Sequence, residues 1–208
     1  IVCAGYPRLI GSDVLAEKVV INTHPSLLPK YRGLHSVVWA ILNDEPEIGF
    51  TVHLANDQMD DGDIIHQFTL KYENQTSKEV MDVFDSHVEE NLGRIVHDYL
   101  QGRISPRKQD LSRATWVPKR NLDDCRIDFH TPGRRLALLF KALVRPYPLP
   151  RLQIEGLDFE VLEYRFLDRD YYTHIGRVVN VEGSDAYIKT LDGILVVSKL
   201  LHPHMGET

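Results

Sequence analysis

Residues 18–25 read KVVINTHP, an apolar and β-branched run that ends in polar residues and a proline. Residues 1–7, IVCAGYP, have the same pattern and also end near a proline. Both runs are typical of buried parallel strands that lead into loops at their carboxyl ends. The stretch SDVLAEK between them predicts a short helix with Ser12 as its N-cap. A strand, a helix and a second strand form a parallel-sheet unit, so these residues predict an α/β fold.

Two helices and two strands are predicted in the rest of the first half. Apolar residues at helical spacing predict a helix over Leu34–Asn43 and a longer amphipathic helix from Thr76 to Gln101. Between them, residues 49–55 (GFTVHLA) and 63–70 (DIIHQFTL) alternate as strands do, separated by an Asp-rich loop. The first half therefore has the element order of a Rossmann-like parallel sheet with helices.

The second half has a different pattern. A polar and basic stretch follows Gly102 without periodicity and predicts a linker. A helix is predicted with Thr131 as N-cap and Pro132 at its first position. After residue 151, a hairpin about Glu155-Gly156 and several short strands predict a small β-rich, OB-like domain. We predict a domain over 1–102, a linker over 103–113 and a β-rich domain over 114–208.

The composition excludes several classes of protein. The 208 residues are 43% hydrophobic and 26% charged, which is ordinary for a globular protein, and no apolar run approaches the roughly 20 residues that span a bilayer. The first residues have neither the basic leader nor the length of a signal peptide. Cys3 and Cys125 lie far apart and form no ligand motif, so we expect neither a disulfide nor a structural zinc site. These features predict a cytoplasmic protein without a membrane partner.

Charge is unevenly distributed along the chain. Residues 1–102 hold 7 Lys and Arg against 16 Asp and Glu, whereas residues 103–151 hold 12 against 4. After residue 151 the balance is acidic again, with 5 basic against 10 acidic residues. The basic stretch indicates an anionic ligand or partner, although a solvated linker with scattered cations explains it equally well.

One segment carries groups suited to catalysis at the predicted end of a strand. Asn22 and His24 occupy alternate positions of an extended run and so point to the same side. An imidazole can accept a proton from an attacking amine, and an amide can donate to a developing oxyanion. The loop at 59–63 (MDDGD) offers a carboxylate to orient the imidazole.

Simpler interpretations of these residues stay open. A histidine at the end of a strand is often structural, and an Asp/Gly loop is often a plain turn. We expect His53 and His66, on the two predicted strands, to be structural. A serine hydrolase is disfavoured, because Ser26 does not lie in a GxSxG elbow.

The stretch NTHPSLLPKYRG (22–33), followed by WAI and MDDGDII, resembles the signature of the folate-dependent formyltransferases. This family includes methionyl-tRNA, glycinamide ribonucleotide and sugar N-formyltransferases. Its signature is an NxHxSLLPxxRG loop with a catalytic aspartate 36 residues beyond the histidine, which is Asp60 here. The resemblance is close over 1–102 and looser over 114–200. The family's catalytic domain begins with a strand–helix–strand–helix ahead of the position of Ile1, so 1–102 corresponds to its carboxyl-terminal portion.

The resemblance implies transfer of a formyl group from 10-formyltetrahydrofolate to a primary amine, without a metal. His24 would accept the amine proton or stabilise the oxyanion, Asn22 would bind the formyl oxygen and Asp60 would hold His24. Leu28-Pro29 would shape the site, and its X–Pro bond can be either trans or cis, because the cis form costs only about 0.5–1 kcal/mol. The residues implied in binding the folate are Arg8, Leu9, Ile10 and Met59. The residues implied in binding the second substrate are Ser26, Lys30 and Arg32, and of these Lys30 and Arg32 would bind phosphates.

Among the acceptors, we expect the amine of a nucleotide-linked amino-deoxy sugar used in surface polysaccharide (O-antigen, lipopolysaccharide) synthesis. The β-rich domain disfavours glycinamide ribonucleotide, and the acidic segment after 151 disfavours a nucleic acid partner, although methionyl-tRNA stays an alternative. A truncated, non-catalytic folate-binding module and a hydrolase that releases formate are further alternatives. The hairpin over 151–165 is a candidate contact for a homodimer.

Overall fold

The computed structural model of the chain describes residues 1–6 and 8–202. Its contacts divide into two compact units, Ile1–Arg120 and Asn121–Thr208. Pro7, part of the first predicted strand and loop, and the last six residues of the predicted β-rich domain lie outside the described residues. The predicted domain limits at 102 and 114 stay a prediction. In chain order the first unit contains β1 (Val2–Ala4), α1 (Ser12–Glu17), β2 (Ile21–His24), β3 (Arg32–Gly33), α2 (Ser36–Leu42), β4 (Glu47–Leu54), β5 (Ile64–Lys71), α3 (Ser77–Leu100) and β6 (Trp116–Val117).

A four-stranded sheet in the order β1-β2-β4-β5 forms the centre of the first unit. β1 and β2 pair in parallel, as predicted, whereas β4 runs antiparallel to both β2 and β5. The core lies between β4 and the helices, where Ile48, Phe50 and Val52 of β4 are buried. The ring centroids of Phe50 and Phe84 of α3 are 5.9 Å apart. This packing leaves the carboxyl end of β2 at the edge where the motif residues lie.

The helices of the first unit form where predicted, but α1 and α2 begin differently. α3 starts with a capping box, in which the Thr76 hydroxyl accepts from the Glu79 N–H and the Glu79 carboxylate accepts from the Thr76 N–H. Ser12 is the first residue of α1 and not its cap, because Gly11 occupies that position. The helix predicted from Leu34 begins only at Ser36, since His35 has a left-handed backbone with φ of 61°.

Residues 103–120 belong to the first unit. The backbone of Arg107 exchanges two hydrogen bonds with Ile64, and β6 pairs in parallel with β3. The segment predicted as a linker therefore lies against the sheet and the motif loop.

The second unit is an antiparallel sheet with one helix. Its sheet has the order β7-β8-β11-β10-β9, and the predicted hairpin turn at Glu155 and Gly156 joins the first two strands with positive φ at both residues. The helix begins at Gly133, and Pro132 is its N-cap. The prediction that Thr131 is the cap is therefore wrong. The elements of the second unit are α4 (Gly133–Ala142), β7 (Arg151–Ile154), β8 (Leu157–Leu167), β9 (Val178–Glu182), β10 (Asp185–Lys189) and β11 (Ile194–Leu201).

Within residues 1–6 and 8–202, no helix combines the length and apolar character needed to cross a membrane.

Candidate active site

An open cavity of about 240 Å³ lies at the carboxyl end of β2. Asn22, His24 and Asp60 all line it, so the fold brings together the three residues with predicted catalytic roles. The residues predicted to bind folate line the same cavity, and they are Arg8, Leu9, Ile10 and Met59. Leu9 and Met59 are 63% and 46% exposed, which leaves their apolar surfaces open to a ligand.

The hydrogen bonds of His24 define which ring nitrogen is free. Its Nε2 lies 2.8 Å from the carbonyl oxygen of Tyr31, and a carbonyl only accepts, so Nε2 carries a hydrogen. In the neutral ring Nδ1 is then unprotonated, and it lies 3.5 Å from Oδ2 of Asp60. The buried imidazole is therefore arranged to take up a proton at Nδ1 beside a carboxylate.

Asn22 is oriented by a histidine on the neighbouring strand. His53 lies directly opposite Asn22 in the β2–β4 pair, and its Nδ1 donates to the Leu54 carbonyl at 2.7 Å. Its Nε2 is then the acceptor, and the Asn22 amide nitrogen donates to it at 3.2 Å. Burial lowers the pKa of His53 below its ordinary value and keeps the ring neutral. Asn22 retains a second N–H for a ligand in the cavity.

Asp60 lies in a tight turn that admits little variation. Its backbone is left-handed with φ of 51°, and its Oδ2 accepts from the Gly33 N–H at 2.9 Å. A Cβ at Gly62 would lie 1.8 Å from the Leu54 carbonyl oxygen, so only glycine fits there. The aspartate is thus held at a constant position relative to His24.

The three residues predicted to bind the second substrate do not line this cavity. Ser26 is buried and donates to the Lys30 carbonyl at 2.7 Å, and the Lys30 ammonium pairs with Glu45 at 3.1 Å. Arg32 is 3% exposed, and its guanidinium pairs with Asp61 at 2.6 Å. Because a buried and paired guanidinium is not presented to phosphates, we correct the predicted role of Arg32 to one within the motif loop.

Three residues at or beside the cavity were not predicted to belong to the site. His53 was expected to be structural, yet it lines the cavity and contacts Asn22. His35 also lines it and accepts from the Arg120 N–H at its Nδ1; burial, with the Arg120 and Lys119 charges, lowers the pKa of His35. The side-chain amide of Gln109 donates to the backbone carbonyl of Asp60. The alternation of side chains along β4, which pairs with β2, is a signal that could have indicated that His53 faces the site. The local sequence contains no comparable signal for Gln109.

Among the described residues, no group of three or more His, Cys, Asp or Glu side chains is arranged to hold an ion. Of the two forms open to the Leu28-Pro29 peptide, the structure has the cis one.

The cavity combines an amide donor, a proton-accepting imidazole and a carboxylate at the end of a strand in an α/β sheet. This arrangement suits transfer of an acyl-type group to a nucleophile that loses a proton. Two family models match the chain, the formyl transferase domain over residues 1–92 and the formyl transferase C-terminal domain over residues 120–205. The chain belongs to the formyltransferase family.

The chain is also similar to individual proteins and solved structures. A methionyl-tRNA formyltransferase of Clostridium acetobutylicum is 25% identical over 98% of this chain and 66% of its own length. HypX of Aquifex aeolicus, solved with tetrahydrofolic acid, has a TM-score of 0.73 at 19% identity over 96% of this chain and 35% of its own. An N-formyltransferase of Helicobacter canadensis, solved with folinic acid and dTDP-3-aminofucose, has a TM-score of 0.68 at 20% identity over 86% of this chain and 65% of its own.

Because these solved structures are only 19% and 20% identical to the chain, they show a likeness of fold alone. The chain spans just under two thirds of the length of the curated relative and about a third of the HypX chain.

Proposed function

We propose that this chain carries the transfer site of an enzyme that moves a formyl group from 10-formyltetrahydrofolate to the primary amine of a nucleotide-linked amino-deoxy sugar. The observation that carries the proposal is the convergence of Asn22, His24 and Asp60 on one cavity. Surface polysaccharide synthesis is the use proposed for the product, and the cytoplasm is the proposed location.

His24 is the proposed proton acceptor. As the amine nitrogen bonds to the formyl carbon, it must lose a proton, and Nδ1 is the ring nitrogen free to receive it. The carboxylate of Asp60, 3.5 Å away, stabilises the imidazolium that results. The same proton can then return to the nitrogen that leaves the formyl carbon, so the residue ends in its initial state.

Asn22 is the proposed donor to the formyl oxygen. One N–H of its amide is bound to His53, which leaves the other to donate where negative charge develops. Because the His53 ring is neutral, it orients Asn22 without adding a charge.

The cavity fits part of a folate. Ligand pockets are usually about 300–1,000 Å³, so a cavity of about 240 Å³ suits the flat head of the molecule and not all of it. Leu9, Ile10 and Met59 provide apolar walls for a heterocycle, and exposed Arg8 provides a cation for an anionic tail. When bound, the folate supplies the formyl group.

Charge supports a nucleotide sugar as the acceptor. The segment after residue 151 has twice as many acidic as basic residues. A surface that binds nucleic acid is expected to be basic, whereas a sugar nucleotide needs only a few cations. Helix α3 adds an exposed acidic face formed by Asp82, Asp85, Glu89 and Glu90.

Methionyl-tRNA is the second candidate acceptor. The relative from Clostridium acetobutylicum is a methionyl-tRNA formyltransferase, and residues 103–151 hold 12 Lys and Arg against 4 Asp and Glu. A folate-binding module without catalysis is a third candidate.

A transfer assay distinguishes these candidates. The full encoded protein is incubated with 10-formyltetrahydrofolate and, separately, with dTDP-, UDP- and GDP-linked amino sugars and methionyl-tRNA. We expect turnover with one sugar nucleotide. Turnover with methionyl-tRNA alone would overturn the sugar assignment, and folate binding without any transfer would support the non-catalytic module.

A further inference from the structure

The side-chain amide of Gln109 connects the turn that carries Asp60 to Arg32. Gln109 lies in the segment predicted as a linker and is 9% exposed. Its Nε2 donates to the Asp60 carbonyl at 2.9 Å and to the Gly62 carbonyl at 2.8 Å. Its Oε1 accepts from the Arg32 guanidinium at 2.7 Å. Both N–H groups and the carbonyl oxygen of this side chain are therefore occupied.

Arg32 extends the same connection to the other side of the turn. Its guanidinium binds both Gln109 and Asp61, and its backbone N–H donates to the Thr115 carbonyl at 2.9 Å. Gly33, the next residue, donates its N–H to the Asp60 carboxylate. The backbone of the turn and the carboxylate of Asp60 are thus held by two different groups of contacts.

Buried bonds of this kind restrict movement. Two carbonyl oxygens of the turn depend on one amide, and a shift of the turn would leave buried polar atoms without partners. The distance from Asp60 to His24 Nδ1 is set by where this turn lies, because the carboxylate is one short side chain away from the held carbonyl.

We propose that Gln109, supported by Arg32, is a positioning residue for the formyl-transfer site: it holds the 60–62 turn at the distance at which Asp60 stabilises protonated His24. This inference rests on the proposed function for its kinetic consequence, but its geometric consequence does not need turnover.

The main test compares Gln109→Leu with a matched control, Gln67→Leu. Gln67 has the same pattern of bonds in the same unit, since its Nε2 donates to the Leu28 carbonyl and to Thr51 and its Oε1 accepts from Arg107. It does not contact the 60–62 turn. Both variants lose a side-chain amide, so the control measures the general cost of that loss.

In the full enzyme we expect Gln109→Leu to lower kcat by about 10- to 100-fold, as small displacements of catalytic groups do. The acidic limb of the kcat–pH profile should move to lower pH, because the imidazolium loses its nearby carboxylate. The amine KM should stay within about twofold. For Gln67→Leu the acidic limb should not move. An unmoved limb in Gln109→Leu would overturn the proposal.

A second readout uses no substrate and so separates this inference from the proposed function. The titration of the His24 ring is followed by NMR in the wild type, in Asp60→Asn and in Gln109→Leu. Besides Asp60, the titratable group beside His24 is His53, whose Nε2 lies 3.7 Å from Oδ1 of Asp60, so the signals of the two rings are followed separately. We expect both variants to move the His24 titration to lower pH. A shift in Asp60→Asn with none in Gln109→Leu would overturn the proposal, whether or not the enzyme transfers formyl groups.

Gln109→Met keeps the test decisive if the leucine variant does not fold. It retains an unbranched side chain of similar length and adds no charge, but a thioether cannot donate to the two carbonyls. The same shift of the His24 titration is expected, and a wild-type titration in this variant would overturn the proposal.

Discussion

His24 and His53 have defined donor and acceptor nitrogens because a backbone carbonyl binds one nitrogen of each ring. The Tyr31 carbonyl binds Nε2 of His24, and the Leu54 carbonyl binds Nδ1 of His53. The two rings therefore present opposite nitrogens to the cavity. This difference leaves His24 able to accept a proton and leaves His53 to accept from Asn22.

Replacing His24 tests its proposed role. We expect His24→Ala to lower the transfer rate by roughly 10² or more, which is typical of acid–base groups. The measurement is kcat with the acceptor identified in the panel assay. His97→Ala is the control, because His97 is an exposed residue of α3 that does not line the cavity. Unchanged turnover in His24→Ala would remove this histidine from the mechanism.

At the scale of elements, the sheet and α3 place the catalytic edge. α3 packs on β4 and β5 through Phe84, which is fully buried between Phe50 and Phe68. The capping box at Thr76 sets where this 24-residue helix begins. The sequence predicted a helix from Thr76 through the spacing of its apolar residues, and the structure adds the capping box at that residue, whereas the starts of α1, α2 and α4 differ from the predicted ones.

The cap has a measurable energy. We expect Thr76→Ala to lower the free energy of unfolding by about 0.5–2 kcal/mol, because the Glu79 N–H at the start of α3 loses its acceptor. Urea unfolding gives the value. In the control, Ser86→Ala, an exposed hydroxyl that donates to Asp82 within the same helix is removed, and a change within about 0.5 kcal/mol is expected. An equal effect of the two substitutions would contradict the capping role.

At the scale of the whole molecule, neutral histidines make stability depend on pH. Burial lowers the pKa of His35, His53 and His66, and for His66 the neighbouring His87 and Arg94 add to the effect. The unfolded chain therefore binds more protons than the folded one between the lowered pKa values and about 6.5. The stabilising contribution is complete above that range and is lost as the pH falls through it.

We accordingly expect the free energy of unfolding to decrease as the pH is lowered from 7 to 5.5. Tryptophan fluorescence during urea unfolding is a suitable probe, because both tryptophans, Trp39 and Trp116, lie in the unit that holds these histidines. His53→Gln should show a weaker pH dependence than the wild type, and His97→Ala should show the same one. A pH-independent wild type would contradict the assignment of these rings as neutral.

Much of the fold was predictable because its signals are local. The β-branched runs, the helical spacing of apolar residues and the Glu155-Gly156 turn each depend on neighbours in the chain, and all correspond to observed elements. The antiparallel direction of β4 was not predicted, since strand direction depends on how distant segments meet in the sheet.

The sequence by itself determined the α/β order, the β-rich second half and, through the resemblance to the formyltransferases, the roles expected of Asn22, His24 and Asp60. Only the tertiary structure decided that Arg32 is buried against Asp61, that His53 faces Asn22, and that Gln109 holds the Asp60 turn. The physical reason is separation along the chain. A motif records which groups are present, but the partner of a charged or polar side chain is chosen by contacts between residues as far apart as Arg32 and Gln109.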